Sequence, residues 1–512
     1  MTGIFAILKF KKLKKKQNEF LVKLSSKIKH RGIKEKTHLK KFPLELIVYH
    51  NYRDEESKNL FSTKTDLKKK IIVVDGNTFY MEENENMNPN NNKNQKSRYQ
   101  ILNYILKNYN AKNSSIFNKI QGTFSGVIYN GEELIGFKDP IGAKPLYYCC
   151  NENFIIFSSE LKAIAALEED IFPIPPGCIV SSSGYTKKFY NYPEFTSISE
   201  SKANNTHYLI KELRKKVIAA IKRNVNEEEK ISGLLSGGID STIITHIAKD
   251  FIDDFTVYTV GVEDSEDLYY ATKYAKTYGL RHEILTISLD DILKVLPEVI
   301  YSLESFDAAL IRSSVPMFLI SQKIKTIDNA DVLLTGEGGD ELFGGYEYLN
   351  EYETEDKLNN EIINLLNIEY LTGLQRVDRI PYYFSIEARA PLFERNLVEL
   401  SFRIPNKLKI CKRNSDIIEK WILRKAFEND IPSEYLWRKK RKFSDGAGSQ
   451  FLLREYIETK ITDTEFHKEK KISPKLNLRS KEELFYWRIF DSKFNPTELT
   501  VLNLGFTAFF EI

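Results

Sequence analysis

The sequence predicts two domains, an N-terminal one of antiparallel strands and a C-terminal one in which helices cover a parallel sheet. A chain of 512 residues is too long for a single compact core. Short β-rich runs bounded by Gly, Asn or Pro fill the first part, whereas strand-like and helical runs alternate after about residue 204. The segment PEFTSISESKANN between them has linker composition. We therefore predict domains at 2–190 and 205–512.

Individual runs support each half of this prediction. In the first half, strands are predicted at 71–76, 122–131, 133–142 and 154–159, and a helix at 100–109. In the second, a helix starts near residue 206, with Leu209, Leu213 and Val217 on one face. The runs ISGLL, TVYTVGV and ADVLLTG then each precede a helical pattern. That order is typical of a doubly wound sheet.

Composition excludes several classes of function. The net charge of +4 is too small to favour nucleic acid as a partner. The four cysteines have no metal-ligand spacing and suggest a reducing compartment. No apolar run approaches the ~20 residues that span a bilayer, so we expect a cytoplasmic protein without a membrane partner. The Asn-rich segment 83–96 is assigned no role.

A glycine-rich turn between a strand and a helix is the strongest chemical signal. The string SGGIDS (236–241) follows the apolar run GLL and precedes a helical pattern. Glycines let the backbone approach a ligand, and the helix that follows points N–H groups at an anion. Ser236 and Ser241 add hydroxyl donors, and Asp240 can hold Mg²⁺ against a phosphate. No Lys follows the glycines, so the string predicts an anion-binding loop other than Walker A.

A second glycine-rich turn, LLTGEGGDELFGGYEY (333–348), also follows a strand-like run. Ligands bind at the carboxyl edge of such sheets, where this turn would lie. Glu337, Asp340 and Glu341 bring three acids to it. A solvated acidic loop is the alternative, but acids beside glycines after a buried strand favour a metal–phosphate site. Two basic stretches, 374–393 and 419–446, would by themselves read as surface charge.

The second residue raises a separate question. Removal of Met1 would expose Thr2, and a terminal threonine can act as a nucleophile with its own amine as the base. A residue at this place can equally be the start of a buried strand, here the apolar run after Gly3.

These stretches, in this order, resemble the glutamine-dependent asparagine synthetases of the bacterial type. The runs YTVGVEDSEDL, LESFDAALIRSSVPMFLISQKIK, IQGTFSGVIYN and FKDPIGAKPLYY extend the resemblance over nearly the whole chain, densely in the second domain and thinly in the first ~100 residues. It implies an N-terminal-nucleophile (Ntn) glutaminase sandwich, joined by an ammonia tunnel to an ATP pyrophosphatase domain. Such enzymes convert aspartate to β-aspartyl-AMP with release of pyrophosphate, and ammonia then displaces AMP.

The resemblance also implies a set of site residues, with ATP and Mg²⁺ as cofactors. The nucleotide-binding residues would be Leu234, Ser236, Gly237, Gly238, Asp240, Ser241, Val260, Thr335 and Gly336. The catalytic residues would be Glu337 as acid/base, with Arg312 and Lys440 stabilising charge on the phosphate. Asp340 would join Asp240 on the metal. The attack of one anion on another needs positively charged side chains and fixed hydrogen-bond donors beside the phosphate.

Several positions depart from the family pattern. Ala309 and Leu310 replace a Thr-Thr pair, which can weaken the stabilisation of the intermediate or change the acceptor. Thr2 stands where the family has its nucleophilic cysteine. The glutamine-binding Asn-Gly-Glu aligns with Asp75, Gly76 and Asn77, and an acidic position aligns with Arg98. A carboxylate at 75 would repel an oxyanion, and Arg98 would repel the α-amine of glutamine.

Three hypotheses remain open on the sequence alone. The first is an asparagine synthetase that uses free ammonia in preference to glutamine. The second is a ligase of the same fold that adenylates another acceptor, and the third is a nucleotide-binding protein without catalysis. Aspartate and either ammonia or glutamine are the expected small-molecule partners, and a homodimer is an open alternative to a monomer.

Overall fold

A computed structural model describes residues 2–51, 70–80, 98–109, 114–195, 206–227, 229–263, 265–413, 416–438 and 449–506. The Asn-rich segment 83–96 lies outside these ranges. The chain divides into two compact units, Met1–Asn191 with Phe490–Leu504, and Tyr192–Ile489 with Gly505–Ile512. None of the helices among the described residues is long and apolar enough to cross a membrane.

The C-terminal segment Phe490–Leu504 groups with the N-terminal unit, although the sequence analysis places it in the second domain. Hydrogen bonds explain this placement. The Ile171 N–H donates to the Thr500 hydroxyl at 3.0 Å, and the Thr497 hydroxyl donates to Asp170 at 2.7 Å. Contacts of this kind join residues more than three hundred positions apart, so local patterns could not reveal them.

The N-terminal unit is the predicted antiparallel sandwich. One sheet has the strand order β2-β3-β1-β8-β7-β9 and the other β11-β10-β6-β5-β4. Its strands are β1 Thr2–Lys9, β2 Glu35–Lys41, β3 Leu44–His50, β4 Ile71–Tyr80, β5 Ile120–Tyr129, β6 Leu134–Lys138, β7 Tyr147–Cys150, β8 Phe154–Ser158, β9 Phe172–Pro173, β10 Cys178–Ser181 and β11 Thr186–Lys188. Its first two helices are α1 Lys15–Leu24 and α2 Arg98–Asn108. The four strands and the helix predicted in this half are confirmed.

The core of the sandwich comes from side chains on alternate positions of both sheets. Ile4, Ala6 and Leu8 of β1 pack in one cluster with Val73 of β4 and Val127 of β5. This period of two is what a strand in a sandwich requires. Every residue of β1 is buried, which fits its position in the interior of the six-stranded sheet.

The C-terminal unit contains the predicted parallel sheet, with the order β14-β13-β12-β15-β16 and all pairs parallel. Its strands are β12 Ile231–Leu234, β13 Thr256–Gly261, β14 Arg281–Thr286, β15 Val332–Leu334 and β16 Glu387–Arg389. The helices up to β16 are α3 Thr206–Arg223, α4 Ile239–Ala248, α5 Glu266–Thr277, α6 Leu289–Leu303, α7 Ala308–Ile327, α8 Gly339–Phe343, α9 Glu355–Ile368 and α10 Gly373–Tyr383.

The remaining elements follow β16 as short helices and two small hairpins. They are α11 Arg395–Arg403, α12 Asn406–Lys409, β17 Cys411–Arg413, β18 Asp416–Ile418, α13 Trp421–Ala426, α14 Ser433–Leu436, α15 Ser449–Glu458, α16 Asp463–Glu469, β19 Lys471–Ser473, β20 Leu476–Asn477, α17 Lys481–Phe494 and α18 Glu498–Leu502.

The topology brings the glycine-rich turns together. β12 lies between β13 and β15, and the three strands run in the same direction. The turns that follow β12 and β15 therefore meet at the carboxyl edge of the sheet, as the sequence predicts.

Candidate active site

The turn after β12 forms a compact loop at the start of α4. The Ser236 N–H donates to the Ser241 hydroxyl at 3.1 Å, and that hydroxyl donates to the Gly238 carbonyl at 3.0 Å. The Gly238 N–H points at the Ser236 hydroxyl at 3.4 Å. Gly237 has a φ of +70°, a conformation that glycine adopts without strain. The loop thus presents hydroxyl and backbone donors at a helix N-terminus, the arrangement that binds phosphates.

The turn after β15 packs directly against this loop. A Cβ on Gly336 would stand 2.8 Å from the Ser241 nitrogen, and one on Gly339 would collide with the Asp240 carboxylate. Both positions therefore need glycine because the two loops approach so closely. Gly336 and Asp240, predicted from separate motifs, lie side by side.

Asp240 and Asp340 share one cation, the ammonium of Lys420. Lys420 Nζ contacts the Asp240 carboxylate and lies 2.5 Å from Asp340 Oδ1. The lysine side chain is almost fully buried. Burial opposes its charge, but the two carboxylates outweigh burial and raise the pKa of Lys420 above its usual range. Lys420 is a site residue that the sequence analysis did not single out.

The same pair of carboxylates fits a magnesium ion. Mg²⁺ in nucleotide sites is held by one or two carboxylates together with phosphate oxygens. A Cβ on Gly345 would collide with Asp340, so a glycine again makes room for an acid of the pair. No cluster of three or more metal-ligating side chains occurs among the described residues. Within the described part of the chain, the carboxylates of Asp240 and Asp340 are the two groups that would serve as ligands at this place, together with phosphate oxygens of a nucleotide.

The residues expected at the nucleoside lie at neighbouring strand ends. Leu234 ends β12, Val260 is the penultimate residue of β13, and Thr335 and Gly336 follow β15. The Thr335 N–H donates to the Arg389 carbonyl at 3.0 Å, which extends the β15–β16 pairing by one residue. This geometry brings the four together at one edge without assigning any of them a ligand.

Glu337 is held by an arginine from α10. Arg376 Nη2 donates to Glu337 Oε1 at 2.6 Å, and both side chains are largely buried. The ion pair fixes the carboxylate in one direction beside the second turn. Arg376 lies in a basic stretch that, taken alone, could not be told from surface charge.

Two further acids lie buried behind Glu337. Glu341 accepts a hydrogen bond from the Tyr346 hydroxyl, and Glu369 accepts one from Thr372 at 3.2 Å. Burial and the nearby Asp340 carboxylate raise the pKa of Glu341 to about 7. Burial and the Glu341 charge likewise raise the pKa of Glu369. A carboxyl whose pKa lies near neutrality can hold or release a proton at the pH of the cell.

Arg312 lies on α7 and points away from solvent. Its Nη1 is 3.5 Å from Glu482 Oε2, and Glu482 also accepts from the Tyr486 hydroxyl at 2.7 Å. Ala309 and Leu310 occupy the first turn of the same helix, and the Leu310 side chain is buried. The two positions where a Thr-Thr pair was expected thus carry apolar side chains, and that of Leu310 packs in the interior. Lys440, the other predicted cation, lies outside the described residues.

In the N-terminal unit, Thr2 and Asp75 are in direct contact. The Thr2 N–H donates to Asp75 Oδ1 at 2.8 Å, and Arg31 Nη2 donates to Asp75 Oδ2 at 2.7 Å. Thr2, Arg31 and Asp75 are each fully buried. Both carboxylate oxygens thus accept hydrogen bonds from the protein itself.

Arg31 extends this contact into a larger buried network. Its Nη1 donates to Glu160 Oε1 at 2.9 Å, and Lys162 donates to Glu160 Oε2 at 2.6 Å. Burial would raise the pKa of Glu160, but His30, Lys162 and Arg31 hold it well below its usual range. The two carboxylates are therefore balanced by Arg31 and Lys162, with His30 beside them.

The other positions of the glutamine motif lie along β4 and α2. Gly76 has a φ of +109°, and a Cβ there would collide with the Thr123 carbonyl. Asn77 is half-buried and pairs with Thr123 of β5. Arg98 is the first residue of α2, and its side chain lies outside the described part of the chain.

The structure adds Lys420, Arg376, Arg438 and Glu369 to the predicted residues. Arg438 donates to the Gly237 carbonyl at 3.0 Å, and so touches the loop from Ser236 to Ser241 directly. All four lie in or beside the basic stretches whose chemistry the sequence left open. Lys420 and Arg438 belong to the stretch 419–446 and Arg376 to the stretch 374–393, but only tertiary contacts select these residues from their charged neighbours.

Comparisons with known proteins agree with this architecture. Residues 212–367 and 352–495 match the asparagine synthase family model, and 53–166 match a glutamine amidotransferase domain, a range that includes Asp75 but begins after Thr2. The asparagine synthetase [glutamine-hydrolyzing] of Zea mays is 27% identical, covering 96% of this chain and 86% of its own. Asparagine synthetase B [glutamine-hydrolyzing] of Escherichia coli (strain K12) is 30% identical, covering 76% and 73%.

A solved structure of glutamine phosphoribosylpyrophosphate amidotransferase from B. subtilis, complexed with ADP and GMP, is 14% identical and has a TM-score of 0.25. It covers 55% of this chain and 65% of that one. A likeness at this level supports no conclusion about the chemistry. The matched family model and the 30% identity to the E. coli enzyme are decisive: the chain belongs to the asparagine synthase family, whose members are ligases that form C–N bonds with ATP.

Proposed function

We propose that this protein makes asparagine from aspartate and ATP through β-aspartyl-AMP, and that it takes ammonia in preference to glutamine. The buried contact of Asp75 with Thr2 and Arg31 is the observation that carries the second part. The first part is supported by the loops at the carboxyl edge of the parallel sheet and by relatives named as glutamine-hydrolysing asparagine synthetases.

In the C-terminal unit, the loop from Ser236 to Ser241 binds the pyrophosphate part of ATP with its hydroxyl and backbone donors. Leu234, Val260, Thr335 and Gly336 surround the nucleoside. Asp240 and Asp340 would hold Mg²⁺, which when bound neutralises charge on the phosphates.

Aspartate and ATP are both anions, so their reaction needs cations near the phosphate. Arg312 and Lys440 supply that charge, and Lys420 is a third cation beside the loop. Glu337, oriented by Arg376, accepts a proton when ammonia attacks the acyl adenylate. Glu341, with its pKa at about 7, lies close by and can exchange that proton at neutral pH.

The N-terminal unit supports ammonia as the donor. A glutaminase needs an exposed nucleophile and a hydrogen-bond donor for the oxyanion. Thr2 is fully buried, and the Asp75 side chain is an acceptor whose two oxygens are already engaged. A carboxylate in that place repels a developing oxyanion. The unit keeps its sandwich core, which supports a role in folding instead of glutamine hydrolysis.

A side-by-side donor assay tests the proposal. Purified protein is given aspartate, ATP and Mg²⁺ with either ammonium or glutamine, and asparagine, AMP and pyrophosphate are measured. We expect asparagine with ammonium and less than about a tenth of that rate with glutamine at saturation. Glutamate release is followed in parallel, because it reports glutamine hydrolysis without synthesis. Equal rates with the two donors would contradict the ammonia preference and leave the synthesis intact.

A second candidate function is favoured by the first turn of α7. Ala309 and the buried Leu310 remove two hydroxyls beside Arg312, so an acceptor other than aspartate is possible. Pyrophosphate release is measured with a panel of carboxylic acids in the absence of any amine. Release with aspartate supports the first function, whereas release with another acid and none with aspartate supports the second.

A further inference from the structure

We propose that Arg438 is a positioning residue that holds the phosphate loop, the turn from Ser236 to Ser241, in the shape that receives the triphosphate. The proposal rests on the proposed function only in that ATP is taken as the ligand of the loop. Arg438 lies two residues after α14, and its guanidinium reaches back to the turn after β12.

Four contacts fix this guanidinium, and one of them is an ion pair of its Nε with Glu266 Oε1 at 3.5 Å. Its Nη1 donates to the Gly237 carbonyl at 3.0 Å, and its Nη2 donates to Asp267 Oδ1 at 2.7 Å. Its centre lies 4.4 Å from the centroid of the Tyr270 ring, a stacking distance for arginine. The side chain is 7% exposed, so it has little freedom to adopt another position. Asp267 and Tyr270 both belong to α5, which therefore acts as the support.

The contact with the Gly237 carbonyl determines the direction of an N–H in the loop. A trans peptide points its C=O and N–H to opposite sides. With the carbonyl of Gly237 turned to Arg438, the N–H of Gly238 must turn away from it, to the side of the Ser236 hydroxyl at 3.4 Å. That hydroxyl and that N–H are two of the donors an anion would meet. Without Arg438, the Gly-Gly peptide could rotate, because glycine accepts φ values of either sign.

The backbone of Arg438 is anchored as well. Nη1 of the buried Arg424 donates to the Arg438 carbonyl at 3.1 Å, and its Nε donates to the Glu419 carbonyl at 2.8 Å. Glu419 precedes Lys420, whose ammonium contacts Asp240 and Asp340. One short stretch around α13 thus supports both the cation beside the two aspartates and the arginine behind the loop.

Binding measurements on the full-length protein test this role. The dissociation constants of ATP with Mg²⁺, and of pyrophosphate, are measured by calorimetry without acceptor for wild type, Arg438→Met and Arg438→Lys. We expect Arg438→Met to weaken both ligands by about tenfold, the effect of losing a hydrogen bond to a charged group. Lysine keeps the charge but lacks the planar fork that reaches Gly237 and Asp267 from separate nitrogens and stacks on Tyr270, so Arg438→Lys should lie between.

A matched control uses another arginine of the same unit. Arg214 pairs with Asp430 at 3.1 Å and lies 5.2 Å from the Phe427 ring, so it copies the ion pair and the aromatic contact without touching the loop. Arg214→Met should leave both dissociation constants within about twofold of wild type. The KM of aspartate should change in neither variant.

Two results would overturn the proposal. One is unchanged ATP and pyrophosphate binding in Arg438→Met, and the other is an equal loss in Arg214→Met. If Arg438→Met does not fold, Asp267→Asn provides a second test, since it removes the nearer of the two carboxylates that pair with the guanidinium and should weaken ATP binding by about threefold. Because the two dissociation constants are measured without turnover, they are independent of whether the wild type makes asparagine.

Discussion

At the scale of single residues, the N-terminal unit depends on the charge of Asp75. Its carboxylate balances Arg31 inside a fully buried network, and removing one partner of such a network leaves an uncompensated charge. We therefore expect Asp75→Asn to destabilise this unit by about 3–5 kcal/mol. We also expect it not to restore glutamine hydrolysis, because Thr2 remains buried.

The stability readout for Asp75→Asn must come from the N-terminal unit itself. All three tryptophans, Trp421, Trp437 and Trp487, belong to the other unit, so hydrogen exchange of β1 and β4 peptides is the suitable measurement. Glu152→Gln is the control, since Glu152 pairs with Lys11 on the exposed surface. Unchanged exchange in Asp75→Asn would contradict the stabilising role of its charge, and rapid glutamate release would contradict the expected lack of glutamine hydrolysis.

At the scale of elements, helix α7 begins after Asp307, whose carboxylate makes two separate contacts. Asp307 Oδ1 accepts the Leu310 N–H at 2.8 Å as a helix cap, and Oδ2 accepts from Arg479 at 2.6 Å. Asp307→Ala loses both and should lower the free energy of unfolding by about 2–4 kcal/mol. Asp307→Asn keeps the cap and should cost about half as much.

Urea unfolding followed by tryptophan fluorescence measures this effect, because the tryptophans lie in the same unit. Ser288→Ala serves as the comparison, since Ser288 is the exposed N-cap of α6 and its hydroxyl accepts a hydrogen bond from the Asp291 N–H. Unlike Asp307, a serine carries no charge that could pair with another element. It should cost about 1 kcal/mol. If Asp307→Ala cost no more than Ser288→Ala, the pair with Arg479 would contribute nothing to the stability of α7.

The elements also show what a sequence can predict here. The turns at Ser236 and Glu337 could be placed at one edge, because parallel strands that alternate with helices end on the same side. Lys420 and Arg376 could not be assigned, because both lie among other charged residues in basic stretches. Their partners are also distant in sequence: Asp240 is 180 positions from Lys420, and Glu337 is 39 positions from Arg376. The contact of Thr2 with Asp75 spans 73 positions, so no local pattern could reveal it.

At the scale of the whole molecule, we expect the buried Lys409 to make the free energy of unfolding depend on pH. This lysine is fully buried on α12, and its ammonium has no hydrogen-bond acceptor among the described residues, only the Phe195 ring at 5.3 Å. Burial, partly offset by Glu355, lowers the pKa of Lys409 to about 7. In the unfolded chain a lysine titrates near pH ~10.4.

The sign of the effect follows from these two values. Between about pH 7 and about pH 10 the unfolded chain binds one more proton than the folded one, so stability contributed by this site rises with pH. Below about pH 7 the full cost of the buried charge applies. Lys409→Met removes that cost and should stabilise the protein by about 1–4 kcal/mol near pH 6, with a gain that shrinks as the pH approaches ~10.

Urea midpoints of wild type and Lys409→Met, taken by tryptophan fluorescence at about pH 6 and about pH 9.5, measure this difference. Lys407→Met is the matched control, because Lys407 is exposed on the same short helix and should give no pH-dependent gain. A gain from Lys409→Met that stayed constant with pH would mean that the methionine improves packing alone. A loss of stability at both pH values would mean that the ammonium over the Phe195 ring is a net stabilising contact.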